Sequence, residues 1–456
     1  MSGPAPRALP RLTVDGEPVG PARLARLVAR TARALDAAGA RPGRGVSLAC
    51  DHPLTAVVTA LAAAETGAPL LLDGSAPVRR IAPAAVVRAA ADGEPVVGPG
   101  PRQGALELPD RTAAVFWTSG SSGEPKAVAA PHAALAHQGT ATADRMAVTA
   151  ADGLLLPLPL RHAYGFSVLQ VWRTTGAHLF AESGFHQRRV LTLLARERIT
   201  SLDGVPTMYR LLAAEAAKDP EAARLLRGLR IRGCGGDVLT PALYEDFRTA
   251  VGAPLHDGYG LSEAGPNVAL NAPGDLHPGT VGRLLDGVRA RRSGAAGEIQ
   301  IHSPALMLGY LDPASGALSR AAFTEDGWLR TGDTGSVSPD GVLGITGRIK
   351  EVLVVHGETV APTVVEDAVR AAAGVVDAAV VGIRRGDRGD TVWAFVESAD
   401  GDRAAVAGRV AAACRRSLPP HVRPRAVRVV TELPRTGSGK HDRVRLRAWA
   451  AGEQAA

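Results

Sequence analysis

Apolar residues recur at helical spacing in LARLVARTARALDAAG (24–39), LTAVVTALAAAETG (54–67) and QRRVLTLLARERI (187–199). Between and beyond them lie short apolar runs of strand length, GVSLAC (45–50), AAVFW (113–117) and SLDGV (201–205). TPALYEDFRTAV (240–251) predicts another helix, with Thr240 as its cap and Pro241 in its first turn. Helix and strand alternate, which predicts α/β layers.

Past residue 297 the texture changes. EIQIHS (298–303) alternates apolar and polar positions, and VLGITGRIKEVLVV (342–355) is dense in β-branched residues, so strands dominate there. The order then becomes strand (VLVV, 352–355), helix (TVVEDAVRAAA, 363–373), strand (AAVVGI, 378–383), strand (TVWAFV, 391–396), helix (RAAVAGRVAAACRRS, 403–417) and strand (AVRVV, 426–430). That is a small α+β unit, and a boundary is placed at Lys350. The expected fold is α/β: a large N-terminal domain (1–349) with a β-rich distal part, then a small C-terminal α+β domain (350–456). The terminal AAGEQAA is expected to fray.

At 456 residues with 46% hydrophobic content, the chain exceeds one core and has enough apolar material for two. The net charge of +7 comes from interleaved Arg and acidic residues and suits small polyanions such as nucleotides. Basic clusters at 289–292 and 415–428 lack interleaved aromatics, so nucleic acid is not an expected partner. Cys50, Cys234 and Cys414 match no disulfide or metal spacing. The start MSGPAPRALPRL has no signal-peptide core and TAVVTALAAA is too short to span a bilayer, so a cytoplasmic protein with no membrane partner is expected.

Candidate chemistry begins at TSGSSGEPKAV (118–128). Its glycines let backbone N–H groups converge, its hydroxyls add donors and Lys126 adds charge, a composition that suits either a polyphosphate nest or a Gly/Ser linker. No G-x-x-x-x-G-K-[ST] pattern can be drawn through it. DGYGLSE (257–263) then sets an aromatic ring, a hydroxyl and a carboxylate on a glycine-flanked turn, able to stack a base, touch a phosphate and hold a hard cation. GWLRTGDTG (327–335) places Asp333 where a carboxylate can accept from vicinal hydroxyls. GRIKE (347–351) carries Arg348, and PRTGSGK (434–440) ends a second Gly/Ser loop in Lys440.

In order and spacing these segments resemble the adenylate-forming superfamily: acyl-CoA synthetases, adenylation domains of peptide synthetases, and luciferases. The resemblance runs from about residue 113 to 445. It implies a two-step reaction in which a carboxylate attacks the α-phosphate of ATP, releasing pyrophosphate, and a thiol then takes the acyl group. It also implies roles by position. Thr118, Ser119, Gly120, Ser121, Ser122, Gly123 and Lys126 would hold the β and γ phosphates. Tyr259 would stack on adenine with Gly235 and Gly236 on its other face, and Asp257 would accept from the adenine amino group. Ser262 would meet the α-phosphate, Glu263 would bind Mg²⁺, and Asp333 with Arg348 would hold the ribose. Mg²⁺ and Lys440 would offset charge at phosphorus. Lys350 matches the hinge about which the small domain turns, and Gly357 would leave room for a pantetheine arm.

For the acid, His162 matches the family's histidine beside the acid pocket, with Tyr164, Gly233, Cys234, Gly260 and Gly265 as further lining. Residues 153–172 contain no Asp or Glu to pair an α-ammonium, which favours a non-amino acid that is apolar, aryl or bulky. GCGGD (233–237) is small enough to suggest an open pocket floor, although Cys234 can equally be a small hydrophobe. The sequence departs from the family pattern at Arg161, where an aromatic residue is usual, at Ala127 in place of glycine, and at Ser121 and Ser122 in place of threonines. The expected acceptor is CoA. Alternatives are a carrier-protein thiol or a separate acceptor enzyme and, in another class, a non-catalytic nucleotide-binding scaffold; retention of Glu263, Asp333, Arg348 and Lys440 opposes the last. Assembly is expected to be monomeric or homodimeric.

Overall fold

The computed structural model describes residues 9–72, 81–101, 106–118, 125–349, 353–355, 358–384, 389–435 and 441–454. The chain divides into two compact units, the first comprising Met1–Arg291, Gln300–Arg330 and Val337–Gly344, the second Arg292–Ile299, Thr331–Ser336 and Ile345–Ala456. The fold class is the expected mixture of α and β in a large and a small part.

Two large sheets organise the first unit. In one, the strands run in the order Arg283–Leu284, Ala269–Leu270, His256–Tyr259, Ile231–Cys234, Ser201–Gly204, Gly153–Leu156, His178–Ala181, Leu12–Val14 and Glu17–Val19. From His256–Tyr259 to Leu12–Val14 every pairing is parallel. Parallel strands are covered on both faces, which is why Gly153–Leu156 is a continuous apolar run rather than an alternating one. Their core joins Leu155, Phe180, Leu202, Tyr209, Phe247 and neighbouring side chains. The helix Pro241–Val251 packs into this core, and Thr240 caps it by accepting from the N–H of Leu243 at 3.3 Å, as its sequence predicts.

The second sheet has the order Leu318–Ser319, Gly309–Leu311, Lys126–Pro131, Thr112–Thr118, Leu70–Leu71, Val46–Leu48, Ala85–Ala89 and Pro95–Pro99. Thr112–Thr118 and Lys126–Pro131 form an antiparallel pair with Thr118 opposite Lys126, so the phosphate-loop candidate joins the two strands.

In the second unit, Asp377–Arg384 and Asp390–Glu397 pair antiparallel, and Ala426–Val430 adds parallel to the latter. Helices Pro362–Arg370 and Arg403–Ser417 accompany them, in the predicted order. The expectation of a frayed tail is corrected: a helix runs over Arg443–Gln454 because Leu446, Trp449 and Ala450 pack against Val381 and Phe395.

Candidate functional site

Ligands of open parallel sheets bind beyond the carboxyl ends of the strands, and several candidate residues stand there. His162 immediately precedes the helix Ala163–Thr175, which places Tyr164 in its first turn. The Tyr164 hydroxyl donates to Oδ1 of Asp203 at 3.0 Å, and Ser201 Oγ donates to the other oxygen at 3.3 Å. Burial pushes the Asp203 carboxyl up to about 6 against the opposing pull of these hydrogen bonds. Burial, then the Asp203 charge, drives the Tyr164 phenol well above its ordinary range.

This pair fills the space that two of the glycines leave. Gly233 lies opposite Asp203 in the sheet, and a Cβ there would sit 2.5 Å from Asp203 Oδ1 and 3.4 Å from the Tyr164 hydroxyl. A Cβ on Gly235 would touch the Tyr164 ring at 3.4 Å. The glycines make room for a tyrosine and a carboxylate rather than for a large ligand. Of the two readings left open for Cys234, the structure has the small hydrophobe: successive strand residues face opposite ways, and its side chain lies in the core with Leu155, Tyr209 and Phe247. Burial there raises its thiol far above the reactive range.

On the neighbouring strand His256–Tyr259, burial pushes Asp257 up to about 8, opposed by the Gly258 N–H donating at 2.9 Å. The chain then folds tightly back on itself. A Cβ on Gly260 would fall 1.9 Å from the Pro266 carbonyl, and Gly265, at φ +78°, would drive one to 2.3 Å from Gln138 Oε1. Gly236 likewise adopts φ +83°. Only glycine fits such positions without strain.

The short helical turn Ser262–Ala264 presents Glu263, whose Oε1 accepts from the Tyr310 hydroxyl at 2.9 Å. Lys126 Nζ lies over the Tyr310 ring, 4.5 Å from its centroid. Tyr310 therefore joins the cation that follows the glycine-rich loop to the proposed metal-binding carboxylate. Burial and Glu263 raise its phenol pKa, so it remains a neutral donor. The sequence reading missed both Tyr310 and Asp203. Tyr310 sits in LGYL (308–311), whose strand pairs with the one carrying Lys126, and that pairing alone makes it visible.

Arg161 forms an ion pair with Asp51. Within the second unit, Arg348 Nε lies 2.9 Å from the buried Asp333, which shares a strand with Gly332, whose N–H donates to Glu298 at 3.0 Å. Ser119 to Gly123, Lys350, Gly357 and Lys440 lie outside the described residues. Among the described residues no cluster of His, Cys, Asp or Glu forms a metal centre. No helix of the described residues is long and apolar enough to cross a membrane.

Residues 70–311 match the AMP-binding enzyme family, and 364–440 match the AMP-binding enzyme C-terminal domain. The chain is an AMP-binding enzyme. Feruloyl-CoA synthase of an Amycolatopsis species is 30% identical over 92% of this chain and 91% of its own length. Sulfoacetate–CoA ligase of Cupriavidus necator is 32% identical over 74% of this chain and 67% of its own. ATP-bound MatB from Rhodopseudomonas palustris superposes with a TM-score of 0.81 at 26% identity, covering 97% of this chain and 96% of that one. This AMP-binding enzyme is thus an adenylate-forming acid–thiol ligase of the acyl-CoA synthetase type.

Proposed function

We propose that the enzyme uses ATP and Mg²⁺ to convert a non-amino carboxylic acid into acyl-AMP and pyrophosphate, and then transfers the acyl group to the thiol of CoA. The observation that carries this reading is the Lys126–Tyr310–Glu263 constellation, which sets a cation over the ring of one phenol and a carboxylate on its hydroxyl, at the start of the strand that follows the glycine-rich segment. Such an arrangement suits a Mg²⁺-polyphosphate: Lys126 meets phosphate oxygens, Glu263 reaches the metal, and Tyr310 contacts both. Mg²⁺ would supply charge compensation at phosphorus. Thr118 and the loop to Gly123 hold the terminal phosphates, Tyr259 stacks on adenine, and Asp257 reads its amino edge. Ser262 binds the α-phosphate, Asp333 with Arg348 binds the ribose, and Lys440 serves the adenylation step. The small domain, from Lys350 onward, turns between half-reactions, bringing Gly357 to the pantetheine arm.

Tyr164 and Asp203 beside Gly233 and Gly235 favour an acid of moderate size over a bulky one. Asp203 is engaged by Tyr164 and Ser201, so it is not presented to an α-ammonium group. An aryl or apolar acid of moderate size, bounded by His162 and Tyr164, is the reading that remains. Feruloyl-CoA synthase, with its nearly full-length match, favours the aryl class.

The test is exchange of labelled pyrophosphate into ATP driven by aryl, fatty and amino acids, followed by CoA addition. Aryl-dependent exchange and CoA thioester formation are expected. Exchange without thioester would shift the acceptor to a carrier-protein thiol or another enzyme. ATP binding with no exchange for any acid would return the scaffold reading.

A further inference from the structure

Tyr164 and Tyr209 both donate a phenolic proton to the strand Ser201–Gly204, but to different kinds of acceptor. Tyr209, fully buried, uses the backbone carbonyl of Leu202 at 2.7 Å. Tyr164 uses Oδ1 of Asp203 at 3.0 Å. A phenol taken out of water needs some acceptor, and a backbone carbonyl supplies one without burying a charge. A carboxylate with no cation beside it among the described residues is a costly substitute.

What the carboxylate adds is direction. Asp203 ionises at about 6, so at neutral pH it only accepts. Tyr164 keeps its proton, because burial and then the Asp203 charge raise its phenol well above the ordinary range. The one Tyr164 proton is therefore committed to Asp203, and the hydroxyl oxygen is left with its lone pairs. Among the described residues no N–H or O–H donates to that oxygen. Donation to a carboxylate also strengthens an oxygen as an acceptor. Asp203 receives one further bond, the long one from Ser201 at 3.3 Å. Both side chains are only half-buried, so the pair is within reach of a ligand and offers it acceptors alone.

We propose that the Tyr164–Asp203 pair is a specificity device of the acid site: Tyr164 accepts a hydrogen bond from a hydroxyl group on the substrate ring, and Asp203 is the positioning residue that fixes the phenol as acceptor. The substrate class narrows to a hydroxylated aryl acid. This rests on the reading of Tyr164 as lining of the acid site. An unsubstituted ring leaves the phenol oxygen unpaired, and a methoxy group sets lone pairs against lone pairs.

The test compares hydroxy-, methoxy- and unsubstituted benzoates and cinnamates, each ring position in turn, on the full chain and on Tyr164→Phe and Asp203→Ala. Two readouts are taken: kcat/KM in acid-dependent pyrophosphate exchange, and calorimetric binding of each acid, which needs no turnover. The parental enzyme should favour one hydroxylated acid over its unsubstituted and methoxy partners by about ten- to a hundredfold, the worth of one hydrogen bond to a charge-coupled acceptor. The preference should reside in KM, because the ring hydroxyl takes no part in the reaction. In Asp203→Ala the phenol is free to donate, so the methoxy acid should gain on the hydroxylated one. In Tyr164→Phe, which keeps the ring and tests the proposal even where Asp203→Ala fails to fold, the preference should disappear. Equal loss for all three acids in both variants would make the pair a framework contact and overturn the proposal. So would a parental enzyme that takes hydroxylated and unsubstituted acids alike, or a preference that survives in Tyr164→Phe. Exchange and binding confined to fatty or amino acids would overturn this proposal together with the aryl reading. Selective binding of the hydroxylated acid without pyrophosphate exchange would instead overturn adenylation and leave the recognition by Tyr164 standing.

Discussion

Two carboxyls of the first unit, Asp203 and Asp257, and one of the second, Glu366, are treated in opposite ways. In the first unit Asp203 and Asp257 are held by hydroxyl and backbone donors, and burial raises them to about 6 and about 8. In the second unit burial also works against ionising Glu366, but the charges of Arg443 and Arg370 outweigh it and hold the carboxyl below its ordinary value. The first arrangement leaves the carboxyl without a compensating charge, so it takes up a proton readily. The second is neutralised internally and serves the framework. Whether a cation has been built beside it thus decides the direction in which the fold moves each of these three carboxyls.

Removing the carboxyl from each class is the strongest way to break this comparison. Glu366→Ala removes the carboxylate that Arg370 and Arg443 share, leaving Arg370 only Asp377 and Asp367 as acidic partners, and is expected to cost about 3 kcal/mol, read as earlier denaturant unfolding of the second unit. Asp203→Asn removes a charge that has no cation beside it. Its stability should stay near parental or rise at neutral pH; a loss as large as that of Glu366→Ala would dissolve the distinction. Gly233→Ala comes next. Its Cβ would meet Asp203 at 2.5 Å. Overpacking of this kind costs about 1–3 kcal/mol, and acid-dependent exchange should fall with it. Adding Asp203→Ala should recover the stability if that single contact is the cause.

The pH dependence of stability sharpens the comparison further. Asp257 ionises near 3.8 in the unfolded chain but only at about 8 in the fold. As pH rises from 3.8, the unfolded chain releases a proton that the folded chain keeps, so this group's contribution falls with pH and levels off above 8. Asp257→Asn should flatten the unfolding midpoint against pH across that window. Glu366 has the opposite sign: its contribution is present above its ordinary pKa of 4.5 and is lost as pH falls through its lower folded value. A parental pH slope in Asp257→Asn would mean the carboxyl is not desolvated.

What the sequence discloses is divided by distance along the chain. The Thr240 cap, the helices and the strand order of the second unit depend on neighbours a few residues apart, so periodicity and turn chemistry expose them. Tyr310 and Glu263 are 47 residues apart, and Tyr164 and Asp203 are 39 apart. No local pattern links either pair; packing between elements distant in the chain creates both. GCGGD reads as empty space only while the side chains opposite are unknown. Cys234 is different, because the alternation of a strand already separates it from Gly233. The C-terminal helix was also legible, since Leu446, Trp449 and Ala450 fall at helical spacing before the small-residue tail.

Arg161 gives the smallest effect and a case between the two classes. Its guanidinium pairs with Asp51, so this carboxylate has a cation, yet the side chains are 22% and 34% exposed and water supplies much of the solvation. Ion pairs at that exposure contribute less than about 1 kcal/mol and weaken with salt. Arg161→Ala should therefore change stability by no more than this, and the change should shrink at high ionic strength. Acid-dependent exchange and the KM for CoA should remain parental, because the pair already accounts for the charge that the family pattern does not explain. A rise in the KM for CoA without a stability change would instead show that Arg161 leaves Asp51 for a ligand phosphate, placing it with the groups that serve recognition.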